Sequence, residues 1–282
     1  MKWQGRRGSD NIEDRRQSRG SATRVVGGGG LGLLAVVVIA SLLGFDVTPL
    51  LQGVETTPQA NAPLSERDRA MGDFVSVTLA DTEEIWAGIF RNELGRTYRP
   101  ATLVLFSEVT ASPCGTASGA TGPFYCPNDK KVYLDTAFFT TLSQQLGAQG
   151  DFAQAYVVAH EIGHYVQDEL GILRQVNAVR ARASAAESNA LSVRIELQAD
   201  CFAGLWARQA AEQFGSLEKG DVAEAMNAAE RIGDDTLQKN AGRRPMPDSF
   251  THGTAAQRQR WFAKGFESGT IGACDTFSAT RL

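Results

Sequence analysis

The sequence predicts an α+β domain dominated by helix, and three observations lead there. Short apolar or alternating segments bounded by turn residues are confined to residues 101–135, whereas long segments with three- and four-residue apolar spacing fill most of the rest. Hydrophobic residues make up 43% and charged residues 21% of 282, which supports a sizeable core and excludes wholesale disorder. A single uncharged run of 21 residues, Val25 to Phe45, sets the globular part of the chain behind it.

Residues 1–24 carry seven Lys/Arg against three acids, a formal +4, so the other 258 residues are about −8 by difference from the net −4. A small basic head on an acidic body argues against a nucleic-acid binder. The run 25–45 reads VVGGGGLGLLAVVVIASLLGF. At 1.5 Å per residue it extends roughly 31 Å, enough for a transmembrane helix. A cleaved signal peptide would have a shorter apolar region and an AxA-like site, whereas Asp46, Val47 and Thr48 follow here. All the basic residues near the run precede it, which places the N-terminus in the cytoplasm and the body outside, as a single-pass membrane protein. Gly28 and Gly32 form a GxxxG pair that would let two spans approach. Residues 46–64, rich in Pro, Gln, Thr and Asn, read as a linker, and the domain then runs over 65–282.

Within that domain, Phe74, Val75, Leu79, Ile85, Trp86, Ile89, Phe90 and Leu94 predict a helix from Ser65 to about Gly95. Ala101 to Thr110 reads as one buried strand, Ala111 to Asn128 as a loop, and Lys131 to Asp135 (KVYLD) as an edge strand. Helical spacing marks Thr136–Leu146, Phe152–Leu170, Ala185–Phe214, Glu218–Asp234 and Thr254–Phe266.

Cysteines stand at 114, 126, 201 and 274, all after the apolar run, where an oxidising compartment permits disulfides. Pairing Cys114 with Cys126 closes a short Gly-rich loop and leaves Cys201 for Cys274; free buried thiols are the other reading. A zinc–cysteine cluster is disfavoured because the chain has no CxxC pair.

The chemistry concentrates in AYVVAHEIGHYVQDELG, residues 155–171. His160 and His164, four apart on a helix, leave the same face and can reach one metal, for which neutral imidazole and Zn2+ are a natural match. Glu161 points to the side of that pair, where a carboxylate can accept a proton without binding the metal. A catalytic zinc takes three protein ligands, and RIELQADCFAG offers the third. There Leu191, Ile195, Ala199, Phe202, Trp206 and Ala210 form an apolar stripe, and Glu196 and Asp200 share the face beside it. Glu196 is the candidate third ligand, and Asp200 the carboxylate that accepts the free N–H of a ligating histidine.

HEIGH followed some thirty residues later by ELQAD resembles the zincin metallopeptidases whose third ligand is glutamate. The chain is similar more narrowly to the bacterial family of membrane-anchored neutral zinc metallopeptidases. The likeness lies in MKWQGRRGSDNIEDRR, CGTASGATGPFYCPNDKKVYLD, VVAHEIGHYVQ, ELQADCFAG and THGTAAQRQRWFAKGF. That resemblance implies a zincin-like fold and a peptidase acting on protein or peptide, with His160, His164 and Glu196 as zinc ligands and Glu161 as general base. His252, standing before the last predicted helix, is the candidate donor to the oxyanion, with Tyr165 its rival. The KVYLD strand is a candidate for pairing with an extended peptide. A membrane-anchored scaffold with structural or vestigial zinc, and a zinc hydrolase of non-peptide amides, are the alternative classes.

Overall fold

Ser65 accepts a hydrogen bond from the Asp68 amide while the Asp68 carboxylate receives one from the Ser65 amide, and this reciprocal cap starts helix α1 (Glu66–Leu94) where the sequence predicts it. The computed structural model describes residues 1–17, 63–118 and 121–282. The predicted transmembrane helix 25–45, with its glycine pair and most of the linker 46–64, lies outside the described residues. Among those residues no helix is long and apolar enough to cross a membrane.

After α1 the chain makes β2 (Thr102–Phe106), the hairpin β3 (Val109–Ser112) and β4 (Gly115–Ser118), then β5 (Phe124–Cys126) and β6 (Lys131–Asp135). The strand predicted over 101–110 is therefore two strands in two sheets, broken at Ser107–Glu108, where Glu108 takes φ 70°. Most of the predicted loop 111–128 is strand as well, and Cys126 at the end of β5 bonds to Cys114. The main sheet has the order β1-β2-β6-β5, with β1 (Ile12–Asp14) supplied by the N-terminus. KVYLD is consequently an interior strand, parallel to β2 on one side and antiparallel to β5 on the other. β2 pairs with it along its whole length and β5 along Lys131–Tyr133, so KVYLD is no open edge and the expected role in binding an extended peptide is withdrawn.

Residues 1–17 do not form a detached basic head. Ile12, Glu13 and Asp14 pair in parallel with Leu103, Val104 and Leu105. Three of its cations are engaged within the fold: Arg6 forks onto Asp81 of α1 at 2.6 and 2.7 Å, Arg15 pairs with Glu13, and Arg16 with Asp14. Trp3 meets Phe74 of α1 edge to face, and Asn11 donates to Glu83.

Seven helical elements follow the sheet: α2 (Ala137–Thr140), running on into a wide turn at Thr141–Gln145, α3 (Asp151–Glu169), α4 (Ile172–Arg180), α5 (Ala185–Phe214), α6 (Asp221–Arg231), α7 (Asp234–Asn240) and α8 (Ala255–Ser268). The segment expected as one helix, Glu218–Asp234, stops at Arg231, and Asp234 opens α7 instead. Helix α4 was not foreseen.

Helix α3 is the centre of the molecule, with Phe152, Ala155, Tyr156, Val158, Ile162 and Val166 all buried against α1, α5 and the sheet. Two close helix contacts then fix what surrounds it. A Cβ built on Gly163, inside the HEIGH segment, would lie 3.2 Å from the Ala199 backbone, so glycine there lets α3 settle onto α5 beside Glu196 and Asp200. On the opposite side of α5, a Cβ on Gly204 would overlap the Phe262 carbonyl and one on Gly265 the Cys201 carbonyl. Helix α8 thus lies backbone to backbone on α5, and the Cys201–Cys274 disulfide ties the C-terminal tail to the same helix. Both expected cysteine pairings are present, and no cysteine is free.

Candidate metal centre

Helical spacing on α3 and the Gly163 contact with α5 bring three side chains to one point. His160 Nε2 lies 3.2 Å from one Glu196 oxygen and His164 Nε2 3.5 Å from the other, with the two imidazole rings edge to face, centroids 4.9 Å apart. Donor atoms of all three lie within 4.8 Å of one another. Ligands held about 2.0–2.1 Å from a tetrahedral zinc stand about 3.3 Å from each other, and two nitrogens with a carboxylate oxygen are a donor set that zinc accepts. The residues present therefore fit the metal.

The far side of each ring is fixed as well. Asp200, fully buried, accepts from His160 Nδ1 at 2.9 Å. Gln167, one helical turn beyond His164, presents Oε1 to His164 Nδ1 at 2.9 Å. The Gln167 amide nitrogen is committed to the Ile195 carbonyl at 2.7 Å and to Gln198 Oε1 at 3.0 Å, so its oxygen faces the ring. Both imidazoles accordingly have Nδ1 engaged as a donor, which leaves each Nε2 as the atom turned toward Glu196 and available to a metal once it gives up any proton it carries.

Behind Asp200 stands a cation that the sequence reading did not single out. Arg258 of α8, 2% exposed, grips both Asp200 oxygens, Nε at 2.8 Å and Nη2 at 2.9 Å, and Tyr156 donates its hydroxyl proton to the same carboxylate. Burial pushes the Asp200 carboxyl up, but Arg258 and His160 outweigh it and hold it below its ordinary value. Burial likewise works against a charged His160, yet Asp200 and Glu196 raise its pKa to about 10 in the metal-free protein. Glu196, also desolvated, is held well below the carboxylate range chiefly by His164 and His160, with His252 contributing.

Glu161 is buried beside the pair, and its carboxylate accepts no hydrogen bond from the described residues, which leaves it available for a ligand's proton. His252 lies on the Thr251–Gly253 loop, its side chain half exposed. Asp234 builds that loop: one oxygen accepts the amides of Thr251, His252 and Gly253 at 2.8, 2.7 and 3.0 Å, and the other lies 3.2 Å from His252 Nδ1. Gly253, with φ +91°, rests on Val193 and Leu197, flanking Glu196, so the loop faces the candidate centre. Tyr165 leaves the contest for the oxyanion, because its hydroxyl turns away to donate to the Arg99 carbonyl at 2.7 Å.

Four positions escaped the sequence reading: Gln167, Tyr156, Arg258 and Asp234. Three of them carried a usable signal: Gln167 three residues after His164 and Tyr156 four before His160, on the face the histidines share, and Arg258 on the apolar stripe of its helix. A second group of acids with converging oxygens, Asp151, Asp221 and Glu224, holds the Met1 amino group and the Phe152 amide and has no imidazole or thiolate.

Comparison with known proteins gives the chain a family. The sequence model of the family described as "putative neutral zinc metallopeptidase" matches residues 1–277. An uncharacterized protein of Escherichia coli strain K12, YpfJ, is 48% identical over 285 residues, covering 98% of this chain and 99% of that one. Uncharacterized proteins of Mycobacterium bovis (Mb2605) and Mycobacterium tuberculosis (Rv2575) are 46% identical over 188 residues, 63% of this chain and 62% of theirs. No solved structure matches.

Proposed function

The chain belongs to the neutral zinc metallopeptidase family, and from that premise we propose that it is a zinc-dependent endopeptidase whose working residues are those gathered on α3, α5 and the 251–253 loop. The observation that carries this reading is the convergence of His160, His164 and Glu196 within 4.8 Å, with both Nε2 atoms turned toward Glu196. Zinc held there would polarise a water molecule and the scissile carbonyl. Glu161, with no competing partner, takes the proton released and returns it to the leaving amine. Asp200 and Gln167 keep the imidazoles in the metal-binding tautomer throughout. His252 donates to the oxyanion. The two disulfides suit an oxidising, extracytoplasmic compartment.

The test is cleavage of denatured casein by the purified full-length chain, with zinc content measured beside it. Hydrolysis should disappear with a chelator and return with zinc; casein left intact by zinc-loaded protein would refute the peptidase reading and favour a scaffold.

A pH prediction follows from the loop. Since Asp234 accepts the Nδ1 proton, His252 has a proton to give from Nε2 only as the imidazolium. Its pKa is raised above 6.5, first by the bond to Asp234. The donor is thus present below that raised value and fades as pH rises through it. Asp234→Asn should move the alkaline limb of kcat toward lower pH without changing zinc content. An unmoved limb would take His252 out of the reaction.

A further inference from the structure

The interval between residues 17 and 63 begins and ends at the same place. Just before it, the Arg16 guanidinium lies on the first turns of α1, donating to the Asp68 carbonyl and packing on Gly72. Just after it, Leu64 leads into Ser65, the cap of that same helix, with Arg69 donating back to the Leu64 carbonyl. Farther from the interval the two flanks are joined by the β1–β2 ladder, the Arg6 fork on Asp81 and the bond from Asn11 to Glu83. One passage through a bilayer would part these partners by the hydrocarbon thickness, about 30 Å, and no ladder or fork spans that distance. Two passages need about 40 apolar residues. The sequence has one run of 21.

We propose that residues 1–17 and 63–282 lie on one side of the membrane, the apolar run anchoring the protein to the lipid surface from that side. This replaces the expectation of a cytoplasmic N-terminus and an external body. The charge rule that produced that expectation presumes a single passage and counts every Lys and Arg near the span, paired or not. Among the described residues Arg6, Arg15 and Arg16 sit within the fold on Asp81, Glu13 and Asp14, so their side is the domain's side.

The experiment places one added cysteine on each flank, at exposed positions away from the candidate centre: Asp10→Cys before the run and Asn240→Cys after it. Membranes from cells treated intact with a membrane-impermeant maleimide are compared with detergent-opened controls, and the labelled peptide is identified by mass so that native cysteines are scored separately. Equal reactivity at the two positions is expected. Labelling of both before opening, or of neither until opening, supports one-sidedness, and the second of these would also overturn the extracytoplasmic placement. Asn240→Cys labelled in intact cells with Asp10→Cys protected, or the reverse, overturns the proposal, and so does full-length chain found only in the soluble fraction. Gln4→Cys serves as the N-terminal probe if Asp10→Cys fails to accumulate. None of these readouts depends on peptidase activity, so the two readings fail independently.

Discussion

Replacing Glu161 with Gln should abolish casein cleavage to within a residue of about 10² to 10⁴ below the parent rate, the usual worth of a positioned acid or base, while zinc content and melting temperature stay at parental values. The separation follows from what Glu161 touches. Its carboxylate accepts no hydrogen bond from the described residues, so an amide of the same size leaves no partner stranded. The metal donors belong to other side chains, His160, His164 and Glu196. What the amide cannot do is accept a proton. Zinc per chain, thermal melting and cleavage rate measured on one preparation decide the matter. A variant that keeps its zinc and cleaves at the parent rate would show that Glu161 is no base.

Arg258→Met should have the largest effect on stability. Asp200 is completely buried, and Arg258 is its permanently charged partner, through two hydrogen bonds. Removing one member of a buried ion pair while leaving the other costs about 3–5 kcal/mol, a fall in Tm on the order of 10 °C for a domain of this size. With Arg258 gone, desolvation, already the largest influence on Asp200, drives its carboxyl to take up a proton. A protonated Asp200 holds His160 less firmly, so zinc affinity should fall along with Tm. Asp200→Asn combined with Arg258→Met removes the stranded charge and should recover part of the lost stability, though not the hold on His160. A single variant melting within 2 °C of the parent would mean that Arg258 contributes packing alone.

The sequence carried the long helices and the metal donors because their signals are local. Capping residues sit within three positions of each other at Ser65–Asp68 and Ser184–Glu187, and each helix ends on a left-handed glycine, Gly95 or Gly215. The HEIGH segment and Glu196 each announce themselves within one or two helical turns. Strand β1 had no such signal: three residues, Ile-Glu-Asp, inside a stretch that looked merely basic, with a partner some ninety positions away. KVYLD alternates like an edge strand, yet one of its two neighbours, β5, comes from a segment read as loop. Arg258 was a different failure. On α8 it shares a stripe with Trp261, Phe262 and Gly265, all buried, and a charged residue at a core position of a helix was the clue to a hidden counter-charge.

The side chains that complete the candidate centre are supplied in a definite order along the chain. The ligands are present once α5 has been synthesised, whereas Asp234, His252, Arg258 and Cys274 all come from the last fifty residues. A nascent chain that has emerged only through α5 therefore has metal donors but no counter-charge for Asp200, no oxyanion donor and no covalent link between tail and helix. Helix α8 lies on α5 through Gly204 and Gly265, so the part of the chain synthesised last is also the part that equips the centre. Under the proposed function, competence would be deferred to chain completion, and a truncated or stalled product would lack it.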